Sequence, residues 1–273
     1  MTDSETDLSK AARGAEQAAY AAGTHLQASR SRLSAVVITR QAPREVVSAI
    51  GLEARALIRE VVGKQFPDHG FVGEGGGEEG SDAPRSDDGR PCWVVDALDG
   101  RANYLRGYPQ YAVSIALVEA GEPQVGVIYD PCRNEFFGAI RGRGAVLNGE
   151  PIRCAKPRAT IESLAATVFP RPTSPRMPAY MTELGRVLRA FSGVRRSGST
   201  ALELAYLAAG RIDAFWEHDI GAWGGAAAAG VVLLRESGAL INARDGRHPL
   251  QSASLLACTP QLFEPFLSLL AEA

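Results

Sequence analysis

Two aspartates three residues apart, Asp96 and Asp99, close the apolar run Trp93-Val94-Val95-Asp96-Ala97-Leu98-Asp99-Gly100. Upstream, Gly73-Glu74 adds a third carboxylate. A strand ending in Asp-x-x-Asp-Gly sets its acids at the carboxyl edge of a sheet, where active sites often lie. With the Leu98 carbonyl between them, these carboxylates suit a hard divalent cation such as Mg²⁺. The same residues also read as a plain turn with two Asx caps. Left without a metal, the acids repel one another, which raises at least one pKa and suits general acid or base work.

The elements that must position these acids follow from periodicity. Asp7 to Ser29 and Glu45 to Val62 carry apolar residues at helical spacing, and Ser34 to Thr39 has the pattern of a strand between them. Phe71-Val72 starts a short extended piece. Gly75 to Arg90 has the composition of a mobile loop, and its Gly75 to Gly80 part is either a lid or plain disorder. Tyr111 to Val118 and Gln124 to Tyr129 form a strand pair turning at Gly121, and Asn148-Gly149 marks a hairpin. Ser163 to Phe169 and Asp213 to Trp216 are strands. Tyr180 to Ala190, Thr200 to Ala209, Ala226 to Ser237 (closed by Gly238) and Pro260 to Ala273 are helices. Alternating strands and helices give an α/β or α+β class. A boundary near residue 150 divides an N-terminal subdomain (1–150) carrying the acidic motif from a C-terminal subdomain (151–273) that completes the cleft.

Composition excludes several function classes. The 273 residues carry 29 Lys+Arg against 31 Asp+Glu, a net charge of -2, so no polybasic nucleic-acid surface is expected. No run approaches the ~20 apolar residues that span a bilayer, and MTDSETDLSK lacks the profile of a signal peptide. Cys92, Cys132, Cys154 and Cys258 form no CxxC pair, which fits reduced thiols in a cytoplasmic protein without a zinc site. His69 and His218 read as polar turn residues, Cys92 as packing, Trp216 and Trp223 as core or pocket wall, and Arg195 and Arg196 as solvated or interface charges. Glycine, at 29 residues, exceeds the usual share of about 7%.

Several long motifs resemble those of the inositol monophosphatase family, in the same order along nearly the whole chain. FPDHGFVGE is similar to the strand leading to that family's GEE motif, and WVVDALDGRANYLRGYP to its W-[VI]-[VI]-D-P-[LI]-D-G-T-x-N-[FY] motif. GVIYDPCRNEFFGAIRGRGAVLNGEPI, RRSGSTALELAYLAAGRIDAFWE and GVVLLRESGAL resemble its hairpin, its R-x-x-G-[ST] turn and helix, and its helix ending in EAGG. The resemblance implies a layered αβαβα sandwich, a homodimer, and Mg²⁺ ions clamping a phosphate monoester while water attacks. It puts Glu74, Asp96, the Leu98 carbonyl and Asp99 at metal-ligand positions. Glu217 falls where the family contacts a substrate hydroxyl, and Gly198 and Ser199 lie on the turn facing the substrate.

The departures carry equal weight. Where the family has DGT, this chain has Asp99-Gly100-Arg101, and the position of the family's water-activating aspartate falls on Gly51, or on Ile50 if the register slips by one. The family's GEE becomes Gly73-Glu74-Gly75. Its late WD becomes Trp223-Gly224-Gly225, or Ala226 when counted back from Glu236, with Asp219 upstream as a possible substitute. Arg101 places a permanent positive charge two residues from Asp99, where it competes with a metal or holds a substrate anion.

From these losses we expect a repurposed enzyme without a cofactor. In it Glu74, Asp96, Asp99 and Arg101 perform metal-independent acid/base chemistry (cyclisation, elimination or isomerisation) on a small anionic or polyol-like molecule. Arg101, Gly198, Ser199, Glu217 and Asp219 would bind that molecule. The alternatives are a Mg²⁺-dependent phosphomonoesterase and a non-catalytic binding protein. The expected partner is a small molecule, with neither nucleic acid nor membrane.

Overall fold

The computed structural model describes residues 3–33, 43–73, 90–157, 159–220, 224–252 and 254–271. The expected strand Ser34 to Thr39, the loop Gly75 to Arg90 except for Arg90 itself, Glu74 and Trp223 lie outside the described residues.

Helices α1 (Asp3–Ala28) and α2 (Pro43–Gln65) form where the periodicity places them. On α1 the inward face is Ala11, Ala15, Ala18, Ala19, Ala22 and Leu26, and on α2 it is Val47, Ile50, Ala54, Ile58 and Val62. Small residues on one helix and branched residues on the other let the pair approach closely and cover one sheet face.

That sheet has seven strands in sequential order: β1 (Gly70–Gly73), β2 (Cys92–Asp99), β3 (Ala112–Glu119), β4 (Glu122–Asp130), β5 (Glu135–Ile140), β6 (Ala145–Leu147) and β7 (Glu150–Ile152). β1 runs parallel to β2, and every later pair is antiparallel. Along β2, Trp93, Val95 and Ala97 join the cluster under α1 and α2, while Val94 joins the cluster on the opposite face. Both faces are covered, so β2 is a nearly continuous apolar run rather than an alternating one.

The second face packs on α5 (Thr200–Ala208) and α6 (Gly225–Ser237). Beneath them lies a five-stranded sheet in the order β11-β12-β10-β8-β9. Its strands are β8 (Leu164–Thr167), β9 (Gly193–Arg195), β10 (Ala214–Glu217), β11 (Leu240–Ala243) and β12 (Leu255–Cys258). β10 is parallel to β8 and antiparallel to β12. The outer layer is α4 (Met177–Ala190) and α7 (Phe263–Leu270), packed on Ala165, Ala214, Trp216 and Leu256. The order of layers is therefore the expected αβαβα sandwich. The first sheet ends at Ile152 and the second begins at Leu164, yet α6 packs on β3 and β4 of the first sheet.

Some elements differ from expectation. β9 forms beside the turn expected at Arg195 to Ser199, and β11 and β12 were not anticipated. These strands span only three or four residues, too short for a period to show. The last helix begins at Phe263, after a 3₁₀ turn at Pro260–Leu262. Trp216 is core, Cys92 is buried, and all four cysteines are free. Among the described residues no helix is long and apolar enough to cross a membrane.

Part of the glycine excess is explained by close packing. A Cβ on Gly225 would sit 2.6 Å from the Val95 carbonyl carbon and 2.7 Å from the Asp96 nitrogen. Only glycine lets the start of α6 approach the β2 backbone this closely. Gly225→Ala is expected to cost about 3 kcal/mol, the upper part of the overpacking range, because backbone yields less than a side chain. Urea unfolding of the variant against wild type checks this.

Candidate active site

β2 does not end cleanly. Its pairing with β3 slips between Asp96 and Asp99, and the Leu98 N–H donates to Asp96 Oδ1 at 3.0 Å. Such an irregularity re-aims the residues after it. Gly100 follows with φ 86°, and a Cβ there would meet the Gln110 carbonyl oxygen at 2.7 Å. The chain then enters the short helix α3 (Arg101–Arg106), whose first residue, Arg101, is exposed.

The start of α5 meets this turn from the other half of the chain. Ser199 is its N-cap and is fully buried. The Ser199 hydroxyl donates to Asp99 Oδ2 at 2.6 Å and accepts from the Leu202 N–H at 3.3 Å. The Ala201 N–H donates to the same Asp99 oxygen at 2.8 Å. A carboxylate at a helix N-terminus is stabilised by the exposed N–H groups and the helix dipole. Ser199, expected to face substrate, thus presents its hydroxyl to Asp99. The turn before it is fixed by Asn103, whose Nδ2 donates to the Gln110 and Ser197 carbonyls at 2.7 Å each. The Ser197 N–H donates to the buried Glu203 at 2.9 Å.

Glu217 ends β10 and is buried, and the Thr200 hydroxyl donates to its Oε2 at 3.0 Å. Burial pushes the Glu217 carboxyl up to about 8, and the negative charges of Asp99 and Asp219 add to the shift. Three consecutive residues, Ser199, Thr200 and Ala201, therefore hold Asp99 and Glu217 beside each other. The Thr200 and Ala201 contributions escaped sequence reasoning, although Ser-Thr before an Ala/Leu run is an N-cap signal that could have found them.

The sign of the Glu217 effect on stability follows. Between its ordinary value of 4.5 and about 8, the folded chain holds a proton that the unfolded chain releases. In metal-free protein stability therefore falls as pH rises through that window. Glu217→Gln is expected to flatten the dependence, leaving stability near pH 5 little changed and raising it above pH 8. Paired urea titrations at the two pH values measure it.

The other expected residues are placed as follows. Asp96 is buried at the β2 bulge. Asp219 accepts the Arg171 N–H at 3.1 Å. Gly198 abuts Asn103, with a would-be Cβ 3.1 Å from its Nδ2. Gly51 faces the motif strand, with a would-be Cβ 3.9 Å from Leu98 Cβ. One turn later on α2, Arg55 lies along Gly73, its Nη1 3.0 Å from where a Gly73 Cβ would be. This second cation was not singled out in the sequence, although its i+4 spacing from Gly51 places it on the same face.

The expectation for His218 is corrected. His218 is buried and bonded to Glu183 at 2.6 Å. His69 stacks on Phe66 with ring centroids 4.8 Å apart. His69 does lie in the turn before β1, half-buried against Phe66, whereas His218 is no surface turn residue but a buried partner of Glu183. Arg196 is exposed and lies over the Phe169 ring at 4.9 Å.

Asp96, Asp99 and the Leu98 carbonyl form an oxygen-only donor set, the type that a hard cation such as Mg²⁺ takes. Among the described residues no three His, Cys, Asp or Glu side chains gather for a metal, and Glu74 lies outside them.

The sequence profile of the Inositol monophosphatase family matches residues 7–272. The chain is 36% identical over 241 residues to the inositol-1-monophosphatase of Rhizobium meliloti, covering 88% of each chain. It is 34% identical over 256 residues to the Nus factor SuhB of Escherichia coli K12, covering 93% of each. The inositol monophosphatase structure from Anabaena superposes with a TM-score of 0.80 at 33% identity, covering 97% of this chain and 96% of that one. Layer order, motif order and these matches agree, and the chain belongs to the inositol monophosphatase family.

Proposed function

We propose that this protein is a Mg²⁺-dependent phosphomonoesterase acting on a small sugar, inositol or amino-alcohol phosphate. The metal-independent chemistry expected from the departures becomes the second reading. The observation that carries the proposal is the Asp96–Leu98–Asp99 donor set, fastened to the start of α5 with Glu217 beside it. The relatedness over 88% of both chains to an inositol-1-monophosphatase supports it.

Asp96, Asp99 and the Leu98 carbonyl, joined by Glu74, would hold the ion. Bound there, Mg²⁺ supplies charge neutralisation of the phosphate and of the leaving oxygen. The chain's own residues fix the geometry. The Leu98 N–H orients Asp96, and the Ser199 hydroxyl and Ala201 N–H orient Asp99. Glu217, its direction set by the Thr200 hydroxyl, meets a substrate hydroxyl. Arg101 at the start of α3 meets the anionic part of the substrate. A homodimer, which the family resemblance implies, belongs to the same proposal.

The test is phosphate release from sugar, inositol and amino-alcohol phosphates with Mg²⁺, using Asp96→Asn as control. Turnover well above the control supports the proposal. Turnover equal to the control, with both proteins folded, overturns it. The second reading draws on Glu217, whose raised pKa near 8 suits acid/base transfer without a metal. A reaction that survives chelation would favour it.

A further inference from the structure

We propose that the cleft on the α4 face of the second sheet is a separate anion site that takes a phosphate dianion. It does not depend on hydrolysis at the acid cluster. Glu217 and His218 are consecutive, yet Glu217 meets Thr200 of α5 and His218 meets Glu183 of α4. The two side chains therefore serve opposite faces of one sheet, and the cleft beside His218 is distinct from the Asp96–Asp99 site.

The cleft has a volume of about 280 Å³, and its walls include Arg176, Glu183, His218, Arg244 and Ser254. That is below the roughly 300–1,000 Å³ of pockets for drug-sized ligands, which restricts the occupant to a small molecule. The floor is rigid. Arg244 Nη1 donates to Glu183 Oε1 at 2.6 Å, and its Nη2 donates to the Leu270 carbonyl at 2.6 Å. Glu183 Oε2 is 2.6 Å from His218 Nε2. Burial works against the charged form of Glu183, but His218 and Arg244 hold its carboxyl below the ordinary value. Glu183 is thus an ionised group already shared between two partners.

The charge balance favours an anion. Asp245, also on the wall, is matched by Arg247 at 2.5 Å. Arg176 and Arg244 outweigh Glu183 by one positive charge. Arg176 is exposed, and its Nη1 donates to the His218 carbonyl at 2.8 Å. A guanidinium carries five N–H donors in a fixed fork, so Arg176 is anchored with most of its donors still able to meet a ligand. A tetrahedral dianion can accept from Arg176 and Arg244 together, whereas a planar carboxylate is matched by one fork.

The experiment uses the full, metal-free chain titrated with sodium phosphate, followed by calorimetry and thermal shift. Sodium chloride at matched ionic strength is the reference. Saturable binding of phosphate, absent with chloride, is expected. Arg176→Ala is expected to weaken it about tenfold, the scale of losing a charge-assisted hydrogen bond, and Asp99→Asn is expected to leave it unchanged. Should Arg176→Ala lower the melting temperature by itself, Ala179→Asp supplies the second test. It puts a carboxylate on the cleft wall in the first turn of α4, where an acid suits the helix, and it is expected to abolish binding. Equal phosphate affinity in wild type and in these cleft variants, an identical chloride response, or loss of binding in Asp99→Asn would each overturn the site.

Discussion

Asp99→Asn is expected to reduce phosphomonoester turnover on the order of 10²–10³-fold, the scale of removing one charged group from a preorganised site. Folding stability should change by only about 1 kcal/mol, the scale of a single hydrogen bond. The separation of the two effects comes from geometry. Asp99 Oδ2 accepts from the Ser199 hydroxyl and the Ala201 N–H. An asparagine can present its one oxygen to both donors and so keep α5 capped. It cannot replace the second carboxylate oxygen or the negative charge, which are what a cation requires. Initial rates with Mg²⁺ and urea unfolding of the same preparations test both halves. A variant with wild-type turnover would remove Asp99 from the reaction, whereas a variant that fails to fold would show that the carboxylate is needed chiefly as a cap.

Gly51→Asp combined with Arg101→Thr is expected to raise turnover by about 10²–10⁴-fold, the range that positioned acid/base catalysis contributes. Gly51 faces Leu98 with ordinary contact distances of 3.9 and 4.0 Å for an added Cβ. The helix therefore has room for the added Cβ. Replacing glycine inside α2 carries no penalty in helix propensity. Each single change should do little. With Gly51→Asp alone, the new carboxylate would face Arg55 one turn on and have no hydroxyl partner to help it orient water. With Arg101→Thr alone, the new hydroxyl would have no acid partner to help it orient water. The gain is thus non-additive, as expected for groups that act as a unit. A double variant no faster than wild type would show that Gly51 and Arg101 serve a different reaction, and would favour the metal-independent reading.

Much of the fold was legible because long elements repeat their pattern many times. The faces of α1 and α2, the hairpin turns at Gly121 and Asn148-Gly149, and the glycine that closes α6 all follow from local spacing and backbone preference. β9, β11 and β12 were missed, since three or four residues carry no measurable period. His218 was misjudged for a different reason. Its partners, Glu183 and Arg244, are 35 and 26 residues away, and only packing brings them within reach.

By itself, the sequence determined which acids the chain possesses, that Asp96 and Asp99 end a buried strand, and that a fixed cation, Arg101, follows them two residues on. These are matters of residue type and short-range order, and both are local. The tertiary structure decided what the acids touch. Asp99 is held by the start of a helix about one hundred residues later, and Glu217 by the threonine next to that contact. Gly225 proved to be a point of close approach to the Asp96 backbone. The physical reason is the same throughout. Hydrogen bonds and burial act over ångströms in space, while the sequence records only distance along the chain.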